Sequence, residues 1–419
     1  MAGESLRVAL LSYRGNPFSG GQGIYVRHLS RELVRLGHRV DVLSGQPYPH
    51  LDDGVRLVPV PSLDLYREPD PFRTPHRSEF RDLVDLLEYT TMITAGFPEP
   101  LTFSLRARKL LTNRRDRYDV VHDNQTLGYG LLGLSRWRIP LVTTIHHPVQ
   151  IDRRLELDAA SGWRRITLRR FYGFTRMQRR VAPRLERVLT VSAVSRHQIV
   201  EHLRVPEQHI HVVPIGIDLA RFSPAPHVPR APGRIVTIAS ADVPLKGLLP
   251  LVEAVAKLRA EREIELVVIG SARPGGAVAT AIDEYDLQGT VRFTGRIPEA
   301  ELVDQVRSAQ VAVVPSLFEG FSLPLVEAMA CGTPVVATTA GALPEVAGSA
   351  ATLVPPGDPQ ALAIAIGGLL DDPVRRAALA AAGREHVVGN YSWASAATRT
   401  AEHYRAAIDV LREEGRAAC

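Results

Sequence analysis

The sequence predicts an α/β protein with two doubly wound parallel sheets, and three observations support this prediction. Short apolar runs alternate with segments whose apolar residues recur at helical spacing, which is typical of a parallel sheet covered by helices. The alternation stops in a proline-rich stretch, residues 222–234, and then starts again. The chain has 419 residues, which suits two domains at roughly 100–200 residues each.

The first half begins as strand, loop, helix and strand. Residues 6–13 form an apolar run of the kind found in buried parallel strands. A glycine-rich loop follows, and residues 24–36 then carry apolar side chains at helical spacing, with Gly37 where a helix commonly ends. Further strands are predicted at 39–43, 119–122, 141–145 and 188–191.

The second half repeats this organisation after the proline-rich stretch. Four prolines within 222–234 exclude a regular element, so this stretch is predicted to be a linker. Beyond it the sequence predicts strands at 235–239, 264–269, 291–294, 311–315 and 334–337, and helices at 248–258, at 300–309, from Pro324 and over about the last 60 residues. The predicted domains are therefore 1–221 and 235–390, followed by a C-terminal helix, 391–419, that we expect to pack back on the first domain.

Composition excludes several classes of protein. An apolar fraction of 45% with 23% charged residues is ordinary for a folded globular chain and excludes a disordered, collagen-like or coiled-coil protein. No apolar run reaches 18 residues, so no transmembrane helix is expected, and the charged N-terminus does not resemble a signal peptide. With only Cys331 and Cys419, a disulfide framework is not expected, and a cytoplasmic location is the simplest expectation.

Basic residues are concentrated in one region. Residues 101–200 contain 20 arginines and lysines against seven aspartates and glutamates, and residues 151–190 contain 11 arginines interleaved with aromatic side chains. Such a segment could bind the anionic inner face of a membrane and reach a lipid acceptor. It could equally be a solvated helix whose apolar stripe packs on the first domain. A nucleic-acid partner is not expected, because no recognition motif accompanies the charge.

Glycines separate the first predicted strand from the first predicted helix. Gly20 and Gly21 let the backbone approach a ligand closely, and the helix N-terminus supplies free N–H groups that suit a phosphate. The spacing differs from the GxGxxG fingerprint of dinucleotide sites, and a simple flexible turn is the alternative interpretation.

Two further residues follow predicted strands, at the edge where open α/β sheets bind ligands; if the two halves face each other, this edge lines an interdomain cleft. His146 follows the strand 141–145, where a histidine can orient a hydroxyl or move a proton, or simply line the site. Together with His147 it lacks a third ligand at zinc spacing, so no metal site is predicted. Lys246 is one of only three lysines beside 47 arginines, which weakly favours a functional charge over a surface lysine.

The segment 316–327 carries the most specific pattern, SLFEGFSLPLVE. Glu319 lies in a loop after a predicted strand, and Glu327 lies about one turn into the helix that follows. Carboxylates accept hydrogen bonds from hydroxyl groups, so this pair suits a polyhydroxylated ligand. The backbone N–H groups of residues 321–323 suit a phosphate at the helix N-terminus.

Together with its flanks, this segment resembles the signature of family 4 glycosyltransferases, retaining enzymes with the GT-B fold of two Rossmann-like domains that face a cleft. The match runs over EGFSLPLVEAMACGTPVVATTAGALPEV, with seven residues between the two glutamates. The resemblance extends over most of the chain and includes GGQGIYVRHLSRELVRLGHRV near the start, TIHH, TVSAVSR and PIGID.

The resemblance implies a transferase that moves a hexose from a UDP- or GDP-sugar to a hydroxyl of a glycan, lipid or small-molecule acceptor, with no metal or other cofactor. It assigns Glu319 to hydroxyls of the donor sugar, Glu327 to those of the ribose and Lys246 to the diphosphate, and it places His146 beside the reacting centre. No carboxylate nucleophile is identified, so the resemblance implies attack on the face from which the diphosphate departs. The remaining donor contacts fall on Gly20, Gly21, Gly320, Phe321, Ser322 and Leu323.

One position departs from the family pattern. Ala241 stands where an arginine usually helps to clamp the diphosphate, and a charge-assisted hydrogen bond is worth roughly 1.5–3 kcal/mol. Arg14 and Arg273 are the candidate replacements. If the site is instead degenerate, the chain is a non-catalytic nucleotide-sugar-binding subunit, and a GT-B nucleotide-sugar epimerase is the other alternative. Ser322 also replaces a common glycine, which we expect to matter little.

Overall fold

The computed structural model describes residues 4–15, 21–67, 69–136, 139–239 and 243–417. Contacts between residues divide the chain into two compact units. The first unit comprises Met1–Val191, Ser195–Val213 and Ala396–Cys419, and the second comprises Ser192–Val194 and Pro214–Ser395. The C-terminal segment therefore groups with the first unit, although the second unit precedes it in the chain.

Two parallel sheets organise the described residues. The first unit contains β1 (Arg7–Ser12), β2 (Arg39–Ser44), β3 (Arg56–Pro59), β4 (Val120–Asn124), β5 (Leu141–Thr144), β6 (Val188–Thr190) and β7 (Ile210–Val212). The second contains β8 (Arg234–Ile238), β9 (Glu265–Ile269), β10 (Val291–Phe293), β11 (Val311–Val314), β12 (Val335–Thr338) and β13 (Thr352–Val354). The strand orders are β3-β2-β1-β4-β5-β6-β7 and β10-β9-β8-β11-β12-β13. In each sheet the order reverses beside the first strand, and this is where open α/β sheets bind ligands.

Helices connect most of the consecutive strands in the described chain. They are α1 (Gly21–Arg35), α2 (Leu83–Ile93), α3 (Glu99–Thr112), α4 (Tyr129–Arg136), α5 (Val149–Ala159), α6 (Gly162–Phe171), α7 (Thr175–Val181), α8 (Ala193–Leu203), α9 (Leu248–Arg259), α10 (Ala277–Glu284), α11 (Glu299–Ser308), α12 (Leu323–Ala330), α13 (Leu343–Ala347), α14 (Pro359–Asp371), α15 (Pro373–Asn390) and α16 (Trp393–Ala417). None of the helices described is long and apolar enough to cross a membrane.

Both sheets are buried on their two faces, as expected when helices cover a parallel sheet. Every residue of β4, β11 and β12 is buried. In the first unit one apolar cluster joins Leu11 of the sheet to Phe103 of α3. In the second unit a separate cluster joins Val313 of the sheet to Leu251 of α9. Each unit therefore has its own core.

The predicted fold class of two Rossmann-like parallel sheets is confirmed, and each predicted strand ends within two residues of an observed one. The structure adds β3, β7 and β13, which are only three or four residues long. It also corrects the expectation of one basic helix in 151–190. This segment is broken into α5, α6 and α7, with a 3-10 turn at Tyr172–Phe174.

Candidate active site

The carboxyl ends of β8 and β11 bring two predicted residues together in the second unit. These strands are neighbours, paired at Val311 with Ile235. Lys246 ends a 3-10 turn that follows β8, and Glu319 lies in the loop between β11 and α12. Lys246 Nζ donates a hydrogen bond to Glu319 Oε1 at 2.7 Å.

A serine adds a second hydrogen bond to the carboxylate of this ion pair. Ser316 Oγ donates to the same oxygen, Glu319 Oε1, at 2.8 Å. The side chain of Lys246 is 33% exposed and that of Glu319 only 11% exposed, so the ammonium group is the more accessible partner. Ser316 was not among the predicted site residues, although its place just past β11 is the same signal that identified Glu319.

Two glycines allow the loops of this cluster to approach other backbone closely. Gly247, directly after Lys246, has a φ of +65°, and a Cβ there would collide with the carbonyl oxygen of Pro315. Gly341 has a φ of +57°, and a Cβ there would collide with the carbonyl oxygen of Glu319. Because neither position accepts a side chain, glycine is what allows both loops to close against their neighbours.

Glu327, the second predicted carboxylate, is the fifth residue of α12 and is partly buried. Burial raises the pKa of its carboxyl group to about 7, with a smaller contribution from Glu299. A carboxyl group that is half protonated near neutral pH gains stability in its ionised form when a ligand donates hydrogen bonds to it. Glu327 is therefore suited to hydroxyl groups that arrive with a ligand.

The residues between the two glutamates form the N-terminus of α12. Leu323 begins the helix, so its N–H has no acceptor within the helix. Ser322 has a φ of +91°, which is strained for serine, and its hydroxyl is buried without a hydrogen-bond partner. Serine in place of the glycine common in the family therefore carries a backbone cost that was not expected from the sequence. Phe321 is buried, and the carbonyl of Gly320 accepts from Ser192 Oγ at 2.6 Å.

In the first unit, His146 lies just past β5 and beside Asn124, the last residue of the neighbouring strand β4. His146 Nε2 and Asn124 Oδ1 are 2.8 Å apart. Burial lowers the pKa of His146 to about 4, so its imidazole is neutral at pH 7. A neutral imidazole that faces an amide oxygen through Nε2 carries its proton there, and this assignment leaves the lone pair on Nδ1.

Gln125 holds the backbone around His146. Its Oε1 accepts from the His146 N–H at 2.6 Å, and its Nε2 donates to the carbonyl of His147 at 2.7 Å. Neither Asn124 nor Gln125 was predicted as a site residue. Both follow a predicted strand directly, but their contact with His146 depends on β4 and β5 being neighbours, which the sequence did not establish.

Gly20 and Ala241 lie outside the described residues, and Gly21 is the first residue of α1. The predicted glycine loop is therefore placed only at its helical end. Among the residues that the structure describes, no group of three or more histidines, cysteines, aspartates or glutamates is arranged to hold a metal ion.

The two arginines considered as replacements for the missing clamp lie in different units. Arg14 Nη2 donates to Glu99 Oε1 at 2.9 Å in the first unit. Arg273 lies on an exposed loop after β9, the strand next to β8, in the second unit. Arg273 is therefore the candidate that lies in the same unit as Lys246.

Comparisons with known proteins identify the family. The model described as Glycosyltransferase Family 4 matches residues 19–221, and the model described as Glycosyl transferases group 1 matches residues 232–372. The MMP alpha-(1->4)-mannosyltransferase of Mycolicibacterium hassiacum is 51% identical over 407 residues, which cover 96% of this chain and 98% of that protein. A D-inositol 3-phosphate glycosyltransferase of Kineococcus radiotolerans is 30% identical, covering 98% of this chain and 97% of that protein.

Solved structures share the fold. A sucrose-phosphate synthase from Thermosynechococcus elongatus has a TM-score of 0.72 at 24% identity, covering 97% of this chain and 100% of that chain. The structure of Anabaena HepE in complex with UDP has a TM-score of 0.69 at 17% identity, covering 96% and 100%. These similarities support the GT-B fold that the sequence resemblance implied. The chain therefore belongs to glycosyltransferase family 4 and is a glycosyltransferase.

Proposed function

We propose that this enzyme transfers an α-mannosyl group from a nucleotide-diphosphate mannose to a hydroxyl of a glycan acceptor, with retention of configuration. Mannose is chosen because an α-(1→4)-mannosyltransferase is 51% identical over nearly the whole chain. A (1→4) linkage is made to a hydroxyl of another sugar, which favours a glycan over a lipid or small-molecule acceptor. Since the nucleotide donor holds mannose in the α configuration, an α-linked product requires retention.

The cluster of Lys246, Glu319 and Ser316 is the observation that carries this proposal. Two donors occupy Glu319 Oε1, which leaves Oε2 to accept from hydroxyls of the donor sugar. Lys246 uses one N–H on Glu319 and keeps two for the diphosphate, whose departure needs positive charge. A carboxylate and an ammonium in contact suit a ligand that places sugar hydroxyls next to phosphate, as a nucleotide sugar does.

The remaining donor contacts follow from α1 and α12. Glu327 binds the ribose hydroxyls, and the backbone at Phe321, Ser322 and Leu323 binds the sugar and phosphate oxygens at the start of α12. Gly20 and Gly21 of the predicted glycine loop make further phosphate contacts in this proposal. In this proposal the positive charge comes from Lys246 and from helix N-termini, so we expect transfer to continue in the presence of EDTA.

His146 orients a substrate hydroxyl in this proposal and does not remove its proton. With a pKa of about 4 the imidazole is too weak a base to hold that proton at neutral pH. Its Nδ1 lone pair can accept a hydrogen bond from a hydroxyl of the transferred sugar. The acceptor proton then passes to the departing diphosphate oxygen as the new glycosidic bond forms on the same face.

The test is an incubation with GDP-mannose, UDP-mannose or UDP-glucose and with methyl α-mannoside or α-(1→4)-mannobiose as acceptor. We expect an α-linked product, identified by mass spectrometry and NMR, with one of the two mannose donors. A β-linked product would refute retention, and transfer from UDP-glucose alone would refute mannose. Binding of donor without any turnover would favour the non-catalytic subunit, and interconversion of the free nucleotide sugars would favour the epimerase.

We also infer that α6 contacts an anionic membrane while the enzyme works on cytoplasmic nucleotide sugar. No residue of α6 is buried, and its Trp163 and Ile166 are 76% and 54% exposed among arginines. An exposed aromatic residue beside basic residues suits the interface of an anionic bilayer. The wild-type protein should sediment with phosphatidylglycerol vesicles and not with phosphatidylcholine vesicles, and Trp163→Ser should sediment less. Equal sedimentation with both vesicles would refute a preference for anionic membranes, and no sedimentation with either would refute the interaction.

A further inference from the structure

A group of buried polar side chains lies behind His146 and is not used by the proposed function. Its members are Tyr25 of α1, His122 of β4, Thr144 of β5 and Tyr404 of α16, each at most 7% exposed. We call these four residues the Tyr25 cluster. Four elements of the first unit therefore meet at one polar site inside its core.

Hydrogen bonds connect the Tyr25 cluster from end to end. Tyr404 OH lies 2.6 Å from His122 Nδ1. His122 Nε2 lies 2.7 Å from Thr144 Oγ1, which in turn lies 3.1 Å from Tyr25 OH. Burial lowers the pKa of His122 to about 3, so its ring is neutral and has one N–H and one acceptor nitrogen. The ring nitrogen that carries the proton determines whether each neighbouring hydroxyl donates or accepts, and such a network favours one arrangement of its side chains.

Tyr25 links this cluster to His146. The two rings meet edge to face, with centroids 4.6 Å apart and planes at 80°. The hydrogen bond to Asn124 restrains Nε2 of the imidazole, and the Tyr25 ring restrains rotation of the imidazole about that bond. Both contacts together determine the direction in which Nδ1 points.

We propose that Tyr25 is a positioning residue for His146, with its ring orienting the imidazole and its hydroxyl anchored through Thr144 and His122 to Tyr404 of the C-terminal helix. This inference rests on the role that the proposed function gives to His146. It gives α16 a part in the geometry of a site formed by β4 and β5, because the hydrogen-bonded chain ends on that helix.

Packing alone does not account for the Tyr25 cluster. Burying a hydroxyl or an imidazole costs free energy unless each polar group finds a partner. Apolar side chains of similar volume would fill the same space without that requirement, and replacing both partners of a buried hydrogen bond in this way can be nearly neutral or stabilising. Four polar side chains bonded in series therefore indicate that this part of the core needs a defined geometry.

Two substitutions separate the ring of Tyr25 from its hydroxyl. Tyr25→Leu removes the ring that faces His146, and Tyr25→Phe keeps it. Tyr118→Leu is the matched control: Tyr118 belongs to the same unit, is 8% exposed, and donates its hydroxyl to Asp41 Oδ2 at 2.6 Å. Mannosyl transfer and thermal unfolding are measured for each single variant. The same measurements are made for His146→Ala and for the double variant that combines Tyr25→Leu with His146→Ala.

Tyr25→Leu should lower kcat about 10–100-fold and change the donor KM less than about 3-fold, because a small misplacement of a site group is costly. Tyr25→Phe keeps the ring but removes its bond to Thr144, so it should lower kcat by an intermediate factor of about 3–10-fold, and a wild-type kcat in this variant would overturn the anchoring role of the hydroxyl. Tyr118→Leu should unfold at a lower temperature without the loss of kcat. In the His146→Ala background, Tyr25→Leu should add less than about a 2-fold effect, since residues that act as a unit are not additive.

The outcomes distinguish this inference from the proposed function. A His146→Ala enzyme as active as wild type would overturn the role of His146 itself. Wild-type kcat in Tyr25→Leu, with His146→Ala inactive, would overturn only the inference about Tyr25. NMR of histidine-labelled protein tests the contact without any substrate. The His146 ring signals should move in Tyr25→Leu and not in Tyr118→Leu, and unmoved signals would also overturn the inference.

Discussion

Donor binding should strengthen as the pH rises through neutrality, because of the carboxyl group of Glu327. In the unliganded protein its pKa is raised to about 7. Under the proposed function Glu327 accepts hydrogen bonds from the ribose hydroxyls, which favours the ionised form in the complex. The diphosphate of a nucleotide sugar has no group that titrates near pH 7. Binding at low pH must therefore release the proton of Glu327, and this release weakens the measured affinity.

The magnitude follows from the two pKa values. If the complex returns the carboxyl group to its ordinary value of 4.5, the affinity at pH 5.5 should be about 30-fold weaker than at pH 8.5. This factor corresponds to about 2 kcal/mol of binding free energy. Glu327→Gln cannot titrate, so its affinity should be nearly independent of pH and weaker than that of the wild type at pH 8.5.

Isothermal titration calorimetry with GDP-mannose at pH 5.5, 7.0 and 8.5 measures this dependence, and two buffers of different ionisation enthalpy count the released protons. Glu301→Gln, an exposed carboxylate of α11 in the same unit, is the control and should keep the wild-type dependence. Equal wild-type affinities at pH 5.5 and 8.5 would refute the reasoning. So would a Glu327→Gln variant that kept the full dependence.

Three further predictions concern Lys246, Ser322 and Glu99. Lys246→Met should lower the rate of mannosyl transfer about 10²–10³-fold because it removes the positive charge beside the diphosphate. The control Lys257→Met, at an exposed position of α9, should leave the rate unchanged. Steady-state kinetics that show equal losses in the two variants would exclude a specific role for Lys246. Ser322→Gly relieves a strained φ and removes a buried hydroxyl that has no hydrogen-bond partner. Urea denaturation should therefore show a free energy of unfolding that is higher by about 1 kcal/mol than that of the wild type. A lower value would indicate that the serine side chain is needed. Burial raises the pKa of Glu99 from 4.5 to about 7, so the folded protein holds a proton that the unfolded chain loses. Relative to Glu99→Gln, the wild type should therefore lose up to roughly 3 kcal/mol of unfolding free energy as the pH rises from about 5 to 8; parallel pH profiles of the two proteins in thermal unfolding would contradict this.

The strands that position the site could be predicted because they are short, buried and apolar. The run at 311–315 and the restart at 235–239 both correspond to strands, and Glu319 and Lys246 lie in the connections that follow those strands. A chemical group just past a buried strand lies at the ligand-binding edge of the sheet whatever the order of the strands. This is why the positions of single candidate residues relative to the sheet were accessible from the sequence.

Contacts between site residues were not accessible in the same way, since they depend on strand order and helix packing. The bond from His146 to Asn124 requires β4 beside β5, and the ring contact with Tyr25 requires α1 to pack over that pair. The Lys246–Glu319 bond requires β8 beside β11, although 73 residues separate the two side chains. Apolar periodicity identifies strands but carries no information on which strands are neighbours.

The Lys246–Glu319 ion pair is best understood as preparation for the donor rather than as a source of stability. The lysine side chain is one-third exposed, and ion pairs at such positions contribute little to folding. A lysine side chain that is unrestrained before the donor binds would lose about 2 kcal/mol of conformational entropy on binding a diphosphate. In the unliganded protein Glu319 already restrains Lys246, and Ser316 restrains Glu319, so much of that ordering precedes donor binding. Under the proposed function, a lysine ordered in this way makes each of its remaining hydrogen bonds to the diphosphate more effective and so offsets part of the charge that alanine at position 241 does not supply.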